Sequence, residues 1–278
     1  MKRARQAGVS IKAASAWFGL SRQAYYRAHK RALQRAAEEE LLLTLVRDIR
    51  QQHPRMGGRK MLHKLRPGMA SLGIHIGRDA FFALLSRHDL LVPVKRSPHR
   101  TTVAGLWHFP NLTSDLQVSH IDQVWVADIT YILTEQGHLY LALITDVFSR
   151  FIVGFDLSTS LTVEGSLRAL NAAISQAAGD LHSLIHHSDH GVQYTAHLYR
   201  DRLRNFGIRS SMGAVGNAYD NALAERVNGI LKIEYLLDAL FVDFSQAAQA
   251  VEQAIWLYNN DRPHLSLNFA TPAQFYKK

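Results

Sequence analysis

A chain of 278 residues with 47% hydrophobic and 20% charged residues can build one large domain or two to three small ones, and its composition is not that of a disordered protein. It has no cysteine, which excludes disulfides and thiolate metal sites, and no apolar run approaches the ~18 residues of a membrane span. The net charge of +9 is uneven: residues 1–107 hold 21 Lys and Arg against 6 Asp and Glu, residues 108–278 hold 11 against 17. A basic front of that size suits a polyanion, nucleic acid first, with a solvated face as the bland alternative.

The first residues lack the apolar block of a secretory signal, so a cytoplasmic protein is expected. Residues 9–30 read as two short helices around a turn. Ile11, Ala14, Trp17 and Phe18 keep helical spacing, Gly19 turns the chain, and Ser21 caps a second helix. This is helix-turn-helix grammar, and it puts Arg22 and Gln23 in the first turn of the second helix, within reach of base edges. A further helix is predicted over 31–52, with Leu41, Leu42, Leu45, Val46 and Ile49 as its apolar stripe.

A second helical hairpin is predicted within 53–92. Its first helix buries Met61, Leu62 and Leu65 and exposes Arg59, Lys60 and Lys64; a loop follows from Pro67 to Gly73; Arg78 opens its second helix. The stretch 93–120 has Pro93, Lys95, Arg96 and Pro98 without periodicity and reads as a basic linker suited to phosphate contacts.

From residue 121 the grammar changes. Strands are predicted over 124–133, 138–148 and 151–157, a helix over 162–178, a strand over 184–187, a helix over 194–205, a strand over 208–210 and a helix over 218–236. The order βββαβαβα gives an α/β fold, a ribonuclease-H-like mixed five-stranded sheet over 121–236, behind an N-terminal all-α helix-turn-helix region over 1–52. Residues 237–278 read as a helical extension, with a capped terminal turn at 271–275, packed on the core.

Three carboxylates stand out by context. Asp128 sits inside the apolar strand Trp125-Val126-Ala127-Asp128-Ile129-Thr130-Tyr131, where an unpaired acid is costly to bury. Asp189 follows an apolar strand and precedes Gly191; Glu225 shares a helical face with Asn228 and Lys232. Phosphodiester cleavage by two metals about 3.5–4 Å apart needs a few carboxylates on rigid elements, and magnesium prefers such hard oxygens. Asp146 reads as a turn or cap residue, and Asp220 points about 140° from Glu225 on an ideal helix. His186, His187 and His190 read as core or substrate-side residues, since neighbours on a strand face opposite ways.

The motifs Trp125-x-x-Asp128-Ile129-Thr130-Tyr131, His187-Ser188-Asp189-His190-Gly191-x-Gln193-Tyr194, Gly216-Asn217-x-Tyr219-Asp220-Asn221-Ala222-x-Ala224-Glu225, Lys232 and Tyr258-Asn259-x-x-Arg262-Pro263-His264 occur in that order. Together they resemble a bacterial insertion-sequence DDE transposase, more narrowly the large-frame product of the insertion-sequence-three family, whose core is similar to retroviral integrase. The match runs from about residue 54 to the C-terminus.

The resemblance implies a magnesium-dependent enzyme, with manganese able to substitute, that nicks transposon ends and joins the 3′-hydroxyl to another strand. Asp128, Asp189 and Glu225 take the triad roles and hold the metal. Lys232, with Asn221 and Asn228, contacts DNA near the cut. The implied partners are double-stranded DNA (terminal inverted repeats and target), further copies of the chain on that DNA, and an upstream-frame protein joined by frameshifting; the implied location is the bacterial nucleoid. Ala127 stands where the family usually has Thr, and the second helical module departs from the family's aromatic-glycine pattern. A catalytically silent DNA-binding regulator is the alternative, and a ribonuclease H acting on hybrids shares the metal chemistry. Delivery of Glu225 by docking of its helix is the expected switch.

Overall fold

The computed structural model describes residues 10–93, 109–213 and 221–277. Two compact units form among them, residues 10–51 with 65–77, and residues 52–64 with 78–277. The expected hairpin over 53–92 is therefore divided between units, and no helix among the described residues is long and apolar enough to cross a membrane.

In the first unit, α1 (Ile11–Trp17) is capped by Ser10, and Gly19 turns the chain at φ 63°. Ser21 Oγ then accepts from Ala24 N at 3.0 Å to open α2 (Arg22–Gln52). The expected break near residue 31 is absent: no Gly or Pro interrupts 22–52, and the run of Ala, Leu, Arg, Gln and Glu sustains one 31-residue helix. Its buried stripe is Leu42, Leu43 and Val46, with Leu41 49% exposed, so the packed face is rotated from the expected one.

Helix α3 (Gly58–Ser71) continues through Pro67, where a loop was expected. Pro67 removes one amide donor but lies exposed, and the helix ends only at Gly73 (φ 67°), where Ile74 N returns to Met69 O. Helix α4 (Arg78–Arg87) buries Phe81, Leu84 and Leu85 as the periodicity requires.

The second unit is built on a sheet of order β3-β2-β1-β4-β5. Strands β1 (Val124–Thr134), β2 (Gly137–Asp146) and β3 (Ile152–Ser158) form an antiparallel meander, and β4 (Ile185–Ser188) and β5 (Arg209–Met212) run parallel to β1. This is the expected ribonuclease-H-like arrangement. Between the strands lie α5 (Val163–Gln176), the short α6 (Val192–Thr195) and α7 (His197–Asn205), the last two in place of one expected helix. An additional two-residue β6 (Leu240–Phe241) extends the sheet by pairing with Leu133 and Thr134.

Alternation along the strands assigns the two faces. Trp125, Ala127, Ala142, Ile144 and Val153 meet α5 on one side. The approach is closest at Gly154, where an added Cβ would collide with the Ala169 and Ala173 backbone. Ile132, Leu139, Leu141 and Leu143 face the other way and pack with Val227 and Leu231 of α8 (Ala222–Glu234) and Val251, Ala254 and Tyr258 of α9 (Phe244–Asn260). Asp128 has the parity of Ile132, so it points to the α8 side. The chain ends in α10 (Pro272–Tyr276), opened by a Thr271/Gln274 capping box. Tyr276 stacks on Phe151 at 4.7 Å and donates to Asp122 Oδ1 at 2.8 Å, which fastens the extension to the core.

Candidate active site

Parallel pairing of β1 with β4 sets Ala127 opposite Ser188, so the next residues, Asp128 and Asp189, stand at the same level on neighbouring strands. Asp128 Oδ1 accepts from Ile129 N at 2.9 Å, and Asp189 Oδ1 accepts from Gly191 N at 3.0 Å. The approach is close, since a Cβ on Gly191 would lie 3.0 Å from that same carboxylate oxygen.

Helix α8 is pinned to β1 by two amides. Asn221 Nδ2 donates to Ala127 O at 3.1 Å, and Asn228 Nδ2 donates to Asp128 Oδ2 at 2.6 Å. Glu225 lies exposed in the first turn of α8, where the positive end of the helix dipole favours an acid. Burial, then the charge of Asp189 and more weakly that of Glu225, push the Asp128 carboxyl up to about 7 against the donors from Asn228 and Ile129. Half-buried Lys232 is drawn towards its charged form by Asp128 and Asp238, while burial dominates and lowers it. Among the described residues no three acid or histidine side chains gather closely enough to share one ion. Asp128 and Asp189 are the paired members, and Glu225 stands at the edge.

Asp146 and the three histidines are held in hydrogen bonds within the fold. Asp146 accepts from Asp122 N, Ser149 N and Ser149 Oγ at 2.9, 2.7 and 2.6 Å. His186 bonds Tyr199 OH at 2.9 Å and is pushed down to about 3 by burial; His187 meets Ser211 Oγ at 2.9 Å; His190 meets Gly213 O at 2.6 Å. Gln193, from the same motif, donates to Leu161 O at 3.0 Å and ties the loop before α5 to the segment after Asp189.

Several residues expected at DNA are engaged within the fold. Lys60 is 8% exposed with its ammonium on Glu234, and Lys64 Nζ sits 2.5 Å from Asp261 Oδ1, so both are engaged inside the protein. Asn221 and Asn228 are 8% and 6% exposed and serve the strand. Arg22, Gln23, Arg59 and Arg78 are exposed, the last bonded to Asp79 at 2.8 Å. Lys95, Arg96, Asp220 and the motif's opening Gly216–Tyr219 lie outside the described residues. Helix α8 already lies against β1 through Asn221 and Asn228.

The sequence reading missed Glu234, the partner of the motif residue Arg262, although an acid in the last turn of a helix opposes the dipole and signals a cation nearby.

A paired-aspartate site on a meander-led mixed sheet, overlain by a carboxylate-bearing helix, has the layout of an integrase-type core. Family models described as "Integrase core domain" match residues 119–218 and 206–272. The "Insertion element IS600 uncharacterized 31 kDa protein" of Shigella sonnei is 35% identical over 267 residues, 94% of this chain and 96% of that one. The "Transposase for insertion sequence element IS904" of Lactococcus lactis is 32% identical over 256 residues, 90% and 98% of the two chains. The solved HTLV-2 integrase catalytic core domain in complex with magnesium is 21% identical with TM-score 0.46, covering 56% of this chain and 97% of that one. The chain belongs to the bacterial insertion-sequence DDE transposases.

Proposed function

We propose that Asp128, Asp189 and Glu225 are the catalytic carboxylates of DNA nicking and strand transfer, and that they hold magnesium, with manganese able to substitute. The observation that carries this reading is the pairing of Asp128 with Asp189 beneath a helix held to Asp128 by Asn228. The donor set fits a hard dication: it offers carboxylate oxygens only, and the burial and like charge that push Asp128 to about 7 mark a surplus of negative charge a cation would relieve. When bound, the metal supplies positive charge to the attacking and leaving oxygens of an in-line displacement.

The chain's own residues do the rest. Ile129 N and Asn228 hold both oxygens of Asp128, Gly191 N orients Asp189, and Glu225 joins from the exposed face of α8. Lys232, two turns along, takes a phosphate beside the cut. Arg22, Gln23 and Arg59, all exposed, are candidates to contact DNA from the N-terminal helices. Assembly of several copies on the transposon ends, and cooperation with an upstream-frame protein in the bacterial nucleoid, belong to the same proposal.

The test is DNA carrying the element's own ends. Asp128→Asn, Asp189→Asn and Glu225→Gln should each abolish manganese-dependent nicking while gel-shift binding persists. Cleavage retained by any of the three removes that residue from the site.

A further inference from the structure

Among the described residues, the second unit holds a concentration of cations that its carboxylates do not balance. Glu234, the last residue of α8, takes Lys60 and also Arg262, whose Nε lies 2.8 Å from Oε2 and Nη2 3.0 Å from Oε1. Arg262 is 5% exposed and its Nη1 donates to His264 Nε2 at 2.8 Å, which requires that ring nitrogen to be unprotonated. One carboxylate thus answers two buried cations. The setting is otherwise acidic, since residues 108–278 carry 11 basic against 17 acidic side chains.

Two more guanidinium groups face the same place. Arg150, in the β2–β3 turn, stands two residues before Ile152, whose backbone N and O are bracketed by the Asn259 amide at 2.9 and 3.0 Å; this sets Arg150 beside Tyr258. Arg226 precedes Val227, which packs in the same cluster as Ile152 and Tyr258. In keeping with that gathering, burial and the charges of Arg262, Lys60, Arg150 and Arg226 push His264 down to about 2. Neither the Arg150 nor the Arg226 side chain has a hydrogen bond or ion pair among the described residues. Asp146, whose charge acts on Arg150, already has its oxygens on Asp122 and Ser149. Arg150 is also left-handed, at φ 66°, so an arginine occupies a turn position that glycine would take without strain.

We propose that Arg150 and Arg226 form a phosphodiester-binding site for duplex DNA on the flank of α8, backed by the buried Lys60–Glu234–Arg262 network. On an ideal helix Arg226 stands about 100° round from Glu225, and Lys232 about 20° from it in the opposite sense. A backbone bound along α8 would therefore meet a cation to either side of Glu225. The proposal rests on the reading of this chain as one that engages duplex DNA.

The test is fluorescence anisotropy of a short labelled duplex with the full chain, in EDTA, across a KCl titration. Arg150→Gly removes the guanidinium and relieves the left-handed strain, so a fold defect does not confuse the result. It and Arg226→Gln should each reduce the slope of log affinity against log salt by about 0.9, and the pair by about 1.8. Arg226→Lys should keep the slope, since charge is what is read. Unchanged slopes in folded Arg150→Gly and Arg226→Gln, or a slope lost equally in Arg226→Lys and Arg226→Gln, would overturn the site. If instead the slopes move as stated but wild-type protein shows no metal-dependent nicking, the phosphate site stands and the catalytic reading fails.

Discussion

Replacing Lys60 by methionine takes one cation from a buried place where two share Glu234. Burial and the charge of Arg262 push the Lys60 ammonium from 10.5 down to about 8, against the attraction of Glu234. A fall of that size corresponds to roughly 3 kcal/mol of unfavourable charge at neutral pH. Methionine keeps the length and apolar body of the side chain, and Glu234 keeps its two-pronged contact with Arg262. Discounted for the coupling of these groups, Lys60→Met should stabilise the fold by about 1–3 kcal/mol at neutral pH. The advantage declines with alkalinity. Below about pH 8 Lys60 is charged in both folded and unfolded chains and the full deficit is present; between about 8 and 10.5 the unfolded chain binds the extra proton. Wild-type stability therefore gains with pH in that window and the variant's advantage fades. Urea unfolding of both proteins at neutral pH and near pH 10 reads this directly. A variant less stable than wild type at neutral pH, or an advantage that does not change with pH, would show that Lys60 and Glu234 attract more than burial and Arg262 oppose.

Three further outcomes are expected. Tyr276→Phe removes a hydroxyl from the buried Asp122 carboxylate, which retains Trp125 Nε1 and the amides of Ala178 and Gly179, and should cost about 1.5–3 kcal/mol in urea unfolding; a loss under ~0.5 kcal/mol would mean that α10 is not fastened through this bond. Gly154→Ala sets a methyl against the Ala169 and Ala173 backbone and should cost about 3 kcal/mol or more, seen as a large fall in Tm, whereas a near-neutral result would refute the close approach of β3 to α5. Asn228→Leu deletes the donor that favours ionised Asp128, so carboxyl NMR of the metal-free protein should place Asp128 above its starting value of about 7, and an unmoved titration would show that the 2.6 Å bond carries no weight.

The sheet was legible because its information is local. Strands β1, β2 and β3 follow the alternation of apolar residues, the meander follows from short turns such as Glu135–Gly137, and the parity of Asp128 with Ile132 already settles which face it serves. Asp128 and Asp189 were recognisable as unusual acids for the same reason: each stands in or beside an apolar strand where burial is expensive. The long α2 was expected as two helices meeting near residue 31, although the absence of Gly and Pro from 22–52 argued for one.

Partnership between distant side chains was not legible. Lys60 and Lys64 looked like solvent-facing cations on an amphipathic helix, and only packing set them on Glu234 and Asp261, 174 and 197 residues away. Asn228 shares a helical face with Glu225 in the sequence, but its bond to Asp128 depends on how α8 lies across β1. By itself the sequence determined the strands, the unusual acids and the family they resemble, since periodicity and the cost of a buried charge act residue by residue. The tertiary structure decided which cations are already answered by carboxylates, as Lys60, Lys64 and Arg262 are, and which, Arg150 and Arg226 among them, have no such partner among the described residues, because charge balance in a folded chain is set by three-dimensional neighbours.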